Sequence, residues 1–209
     1  MASVNFGNIV LDNIEKIEII KGSGASVLYG DGAVAGAINI VTNKNIVKKK
    51  SFILDQSVSS FNGRKTNVNA IQNTNEFSIQ FNHNYTRSDQ YRDNNNYKLD
   101  ASSINLSTIN YDGVYGYFKI NKFDEDIRMP GGITLSEYYL NPKKTKEPDA
   151  FSREEFSSLE LGYYDLYFGD FNTNGSISYS NKVSTSYFDS EWGDSSNQYN
   201  YDTFQGYKK

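Results

Sequence analysis

The chain contains no cysteine, which removes disulfide scaffolds and Cys-ligated metal sites at once. Its single histidine, His83, cannot by itself form a multi-histidine metal site or a histidine-based proton relay. Apolar residues are few: they make up 37% of the 209 residues, whereas a soluble domain with a full core carries roughly 45–50%. Excess positive charge is missing as well. A net charge of −4 and a pI near 5.1 argue against a nucleic-acid binder, which would show a basic stripe. No run approaches the ~20 apolar residues of a membrane-spanning helix. The mean hydropathy of −0.64 nevertheless leaves the other route across a membrane open, because a barrel strand needs only about 9–11 alternating residues. The opening MASVNFGNIV has no charged segment followed by an apolar core, so it does not read as a signal peptide.

What is present favours pleated structure. There are 17 Tyr and 13 Phe but only 3 Pro and 2 Met, and aromatic side chains suit half-buried strands. Residues 176–187, SISYSNKVSTSY, alternate with Asn181 the one exception: Ser176, Ser178, Ser180, Lys182, Ser184 and Ser186 on one face, Ile177, Tyr179, Val183, Thr185 and Tyr187 on the other. EFSIQFNHNYT repeats the pattern, with Phe77, Ile79, Phe81 and Tyr85 opposite Ser78, Gln80, Asn82, Asn84 and Thr86. Further strands are predicted over 50–61, 64–73, 96–110, 114–125, 155–168 and 196–207, joined by FNGR, NTN, SDQYRDNNN, NYDG, a long segment near 126–152, GDFNTN and EWGDSS. This mixture of short and long connections is that of a hairpin meander. The strands are longer than those of a typical sandwich. Tyr85, Tyr163, Tyr164, Tyr179 and Tyr187 gather near strand ends, which fits both an interfacial aromatic girdle and the plain preference of tyrosine for strands.

The first fifty residues differ in kind. NIEKIEII and GAINIVTNK read as strands, GASVLY as one helical turn, and NKNIVKKK as a solvated hinge. The glycines between them invite a nucleotide reading that fails on spacing. Gly22-x-Gly24-x-x-Val27 lacks the third glycine of a dinucleotide fingerprint. Gly24 and Gly30 are one residue too far apart for a phosphate loop, and Gly30 is followed by Asp31 rather than a lysine and a hydroxyl. Gly24-Ala25-Ser26-Val27 runs into Leu28, so there is no nucleophile elbow.

In order, residues 13–44 carry Ile17-Glu18, Lys21-Gly22, Leu28-Tyr29-Gly30, Gly32-Ala33, Gly36-Ala37 and Ile38-Asn39-Ile40-Val41-Thr42. This sequence resembles the C-terminal part of the plug domain of TonB-dependent outer-membrane receptors. Lys21 stands where arginine is usual, Ser23 where proline is common and Ala37 in place of a frequent glycine. YRDNNNYKLDASSINLS and DEDIRMPGGITLSEYYLNP are similar to early barrel segments of the receptors grouped with vitamin B12 and siderophore transporters. The resemblance implies a mainly β fold: a partial transmembrane antiparallel up-and-down barrel, roughly eight of 22 expected strands, preceded by the last piece of a small α/β plug. Residues 1–46 would be plug and 47–209 barrel. The glycines then serve close packing rather than phosphate binding. With no TonB box and only the end of a plug, the chain reads as a fragment.

The implied activity is uptake of a scarce metal chelate, a ferric siderophore or cobalamin, across the outer membrane of a Gram-negative bacterium, with lipid, the TonB complex and the chelate as partners. The resemblance implies neither covalent chemistry nor a resident cofactor, and no nucleophile–base pair or metal set is visible. A secreted or surface β-sandwich or solenoid binding glycans or proteins also accommodates the alternation, but leaves residues 13–44 unexplained. Candidate sites follow. Glu15, Glu18 and Lys21 are candidates for pairing with barrel charges or for plain solvent exposure, with Glu15 and Lys21 on one face by parity. Asp124, Glu125 and Asp126, with Asp89 and Asp93, form either a loop site for a hard cation or a solvated charge run. Arg128, Tyr138 and Tyr139 are candidates for the ligand vestibule or for packing within their own loop.

Overall fold

The computed structural model describes residues 14–22, 36–42, 50–109, 115–188 and 195–208. The chain divides into two compact units, 1–48 and 49–209.

In the first unit, β1 (Ile14–Lys21) pairs antiparallel with β2 (Gly36–Thr42). β-Branched residues make up about half of each strand, in keeping with strand formation. Lys21 faces Gly36, whose φ of +138° only glycine holds comfortably, and a Cβ there would meet the Ile20 carbonyl at 2.6 Å. The helical turn expected at GASVLY lies outside the described residues.

The second unit is one eight-stranded antiparallel sheet in simple meander order. Its strands are β3 (Lys50–Ser59), β4 (Gly63–Asn73), β5 (Phe77–Ser88), β6 (Tyr97–Ile109), β7 (Tyr115–Arg128), β8 (Phe151–Phe168), β9 (Phe171–Phe188) and β10 (Ser195–Lys208). Among the described residues β3 and β10 are open edges. At one end the chain turns at 74–76 and 169–170, and at the other it turns at 60–62 and runs through the longer segments 89–96 and 129–150.

Two sequence expectations change. GDFNTN is not a loop: Phe168 pairs Phe171 and Leu166 pairs Thr173, so the turn contracts to Gly169–Asp170. The asparagines that signal a turn instead cap a β-bulge. Asp165, at φ +56°, is the inserted residue, and its N–H donates to Asn174 Oδ1 at 2.9 Å. The segment near 126–152, expected as a loop, holds helix α1 (Leu135–Leu140). The Thr134-x-x-Glu137 capping box that starts it is legible in the sequence.

Register carries the period-two pattern across the whole sheet. Phe52, Ala70, Phe81, Ile104, Ile120, Leu159 and Tyr179 are successive cross-strand partners from β3 to β9. One residue along, on the opposite face, Asn69, Asn82, Ser103, Asn121, Ser158 and Ser180 are partners in the same way. One face of the sheet therefore carries an apolar band and the other a polar row.

Candidate functional site

In a water-soluble sheet the apolar face is covered and the polar face wet. Here the order is reversed. Phe81 is 37% exposed and Leu161 57%, as are their neighbours Ile79, Ile104, Leu106, Leu159 and Ile177 to similar degrees. On the other face Gln80 is only 4% exposed and Asn69 9%. The polar row is internally bonded: Asn69 Nδ2 donates to Asn82 Oδ1 at 2.6 Å, Asn82 Nδ2 to Ser103 Oγ at 3.1 Å, and Asn121 Nδ2 to Ser158 Oγ at 3.1 Å. Such ladders satisfy groups whose burial would otherwise cost about 1–3 kcal/mol each. Toward the short-turn end, the polar face carries Tyr117, whose hydroxyl donates to Glu160 Oε1 at 2.6 Å, with Lys119 Nζ 3.8 Å from Glu160 Oε2. Toward the long-loop end it carries a small core of Leu99, Ala101 and Phe123, packed by Tyr97 and Phe156.

At that end the two long connections are fastened together. The Arg92 guanidinium donates to the Lys144 carbonyl from Nη2 at 2.6 Å and from Nε at 3.2 Å, and to the Gly131 carbonyl from Nη1 at 2.7 Å. Asn94 Nδ2 donates to the carbonyls of Glu147 at 2.6 Å and Ala150 at 3.0 Å, and the Asp93 N–H to that of Lys143 at 3.0 Å. Glu137 anchors α1 to the rest of its own loop. It accepts from the Thr134 N–H at 2.8 Å and from Lys144 Nζ at 3.0 Å, and it lies 3.4 Å from Lys146 Nζ. The Thr134 backbone bond foremost, then the lysine and hydroxyl contacts, hold its pKa down at about 2.

The candidate residues fall in distinct places. Strand alternation separates the acidic triplet: Asp126 lies between Arg153 at 2.7 Å and Arg128 at 3.3 Å, Asp124 lies 3.2 Å from Lys122, and Glu125, on the opposite face, accepts from Tyr97 Oη at 3.1 Å. Asp89 accepts from Asn62 at 3.2 Å, and no group of three potential ligands gathers among the described residues. Arg128 sits beside Asp126 and over the Phe151 ring, while Tyr138 and Tyr139 pack on each other on α1, Tyr139 being 77% exposed. In β1 Glu18 pairs with Lys16 at 2.7 Å. Ile14 and Lys16 face the adjacent residues Thr42 and Val41, so Glu15 is the inserted residue of a bulge. Gly22 follows β1 with φ +79°, Ile38 pairs Ile19, and Asn39 pairs Glu18. Leu28, Tyr29, Gly30 and Gly32 lie outside the described residues, as do the side chains of Glu15, Asn39 and Thr42.

Sequence reasoning missed Arg92 and Asn94. Their partners are carbonyls some forty to fifty residues away, which no local pattern encodes. Only the capping box at Glu137 left a local signal.

A meander that encloses its polar face and displays its apolar one is a partial antiparallel up-and-down β-barrel. The crystal structure of the ferric citrate transporter FecA in its unliganded form has this fold, with a TM-score of 0.73 and 20% sequence identity over 94% of this chain. The chain corresponds to 31% of that protein's length. No protein-family model and no curated protein sequence matches it.

Proposed function

We propose that the chain forms part of a TonB-dependent outer-membrane receptor that imports a ferric chelate into a Gram-negative bacterium, residues 1–46 ending the plug and 47–209 starting the barrel. The observation that carries this reading is the inverted sheet. Its exposed band from Phe52 to Tyr179 is suited to lipid, and its asparagine- and serine-lined face to a polar lumen. The plug-like order of residues 13–44 and the likeness to a ferric citrate transporter support it. That likeness favours a ferric chelate over cobalamin. A sandwich would bury its apolar faces against each other, and here that face stays open.

In such a receptor the protein performs no covalent chemistry. Ligand is held at the long-loop end, and energy from the TonB complex shifts the plug to admit it. The test is to fractionate iron-starved cells and follow labelled ferric citrate with the gene intact and disrupted. Recovery of the chain in the outer membrane together with loss of uptake on disruption is expected; recovery as a soluble secreted or periplasmic protein would overturn the reading.

A further inference from the structure

The face that carries the apolar band also carries an unusual row near the long loops. Arg64 is the direct cross-strand partner of Arg87, and Arg87 is the direct partner of Lys98. Like charges opposite one another destabilise a sheet, so three cations in a row on adjacent strands call for an anion. The row continues with Asp126 opposite Lys98 and Arg153 opposite Asp126. Asp126 is already engaged by Arg128 at 3.3 Å and Arg153 at 2.7 Å. Asp89 reaches Arg87 at 3.6 Å, and Asp100, one step down the face from Lys98, lies 3.7 Å from His83. Arg64 and Lys98 make no ion pair within 4 Å among the described residues, and both are exposed. Beside Arg87 and Lys98 opens a recess of about 390 Å³ whose lining includes Arg87, Lys98, Arg128 and Asp126, three cations against one carboxylate.

Position narrows the class of anion. Arg87 lies six residues along β5 from Phe81, on the same face and past the end of the apolar band. At ~3.3 Å per residue this is about 20 Å along the strand, and a strand tilted by ~45° covers about 14 Å of that across a bilayer. Cations at that level stand where lipid headgroups begin, above acyl chains lying on the band. A soluble anion would need no apolar surface below it.

We propose that Arg64, Arg87, Lys98 and the adjoining recess bind the terminal phosphate monoester of an anionic lipid headgroup in the surrounding membrane. The proposal rests on the membrane reading above. The test uses the full chain reconstituted in phosphatidylcholine vesicles, with spin-labelled phosphatidic acid or phosphatidylcholine added as probe. The fraction of motionally restricted label is the readout. About fivefold preference for phosphatidic acid is expected, the size that one cation carries near a charged membrane surface. R64Q/R87Q/K98Q should abolish the preference while leaving the restricted phosphatidylcholine unchanged. Restricted lipid with no headgroup preference overturns the proposal and leaves the membrane reading standing. No restricted lipid at all overturns both. A preference eliminated by inorganic phosphate at matched ionic strength assigns the recess to free phosphate and overturns the lipid assignment.

Discussion

Tyr117 lies over Gly162, its cross-strand partner, with the ring closing the space that any side chain at 162 would occupy. The same ring stacks on Tyr164 at 5.0 Å between centroids and lies under Lys119 Nζ at 4.5 Å. On the opposite face Tyr163 covers Gly175, also its direct partner. An aromatic laid over a cross-strand glycine restores the packing that glycine lacks. Gly162→Val should therefore destabilise the sheet by about 1–3 kcal/mol through overpacking. Urea unfolding in detergent checks this, and the cost should shrink in a Tyr117→Ala background because the two sites share one space.

The apolar band and the polar row make opposite predictions for the same substitution. Ile120→Lys, on the band, should cost about 2–4 kcal/mol in a phospholipid bilayer. Asn121→Lys, one residue along and on the polar face, should cost far less. Folding yields in vesicles compare the two directly, and equal effects would refute the assignment of faces.

Arg92 donates to carbonyls, which need a forked set of donors in one plane. Arg92→Ala should release 129–150 from 89–96, seen as faster hydrogen exchange and earlier proteolysis within 129–150. Arg92→Lys should restore little of the protection, because one ammonium cannot reach both the Gly131 and Lys144 carbonyls in the same geometry.

Glu137 makes the α1 anchor depend on pH. Its pKa is lowered from 4.5 to about 2, so its contribution is fully present above 4.5. It is lost as pH falls through about 2. Protection of the Glu137 and Tyr138 amides should fall across that window. Glu137→Gln, which keeps the shape but not the charge, should remove the pH dependence and loosen α1 at neutral pH.

The strands were legible because their signal is local: alternation in EFSIQFNHNYT and SISYSNKVSTSY fixes both the element and the face. The β8 bulge was not, since the partners of Asp165 at its positive φ are Asn172 and Asn174 across the hairpin. The charges show the same divide. Asp124, Glu125 and Asp126 are neighbours in sequence, yet a pleated strand sends the middle one to the opposite side from the other two. Arg64, Arg87 and Lys98 look unrelated in sequence until register lines them up. Sequence reads along a strand, whereas most of the chemistry here runs across strands.

The apolar band does not run straight across the sheet. On β3 and β4 its members Leu54 and Val68 lie one step to the long-loop side of the Phe81 row, whereas on β8 and β9 Leu161 and Ile177 lie one step to the other side. A flat apolar layer meeting that band would cut the strands at a slant, as the thread of a screw leans around its shaft. Any strand placed beyond β10 would have to continue the same offset. The wall could close only where the accumulated slippage brings the last strand into step with the first, which couples the width of a closed barrel to the pitch of its staves.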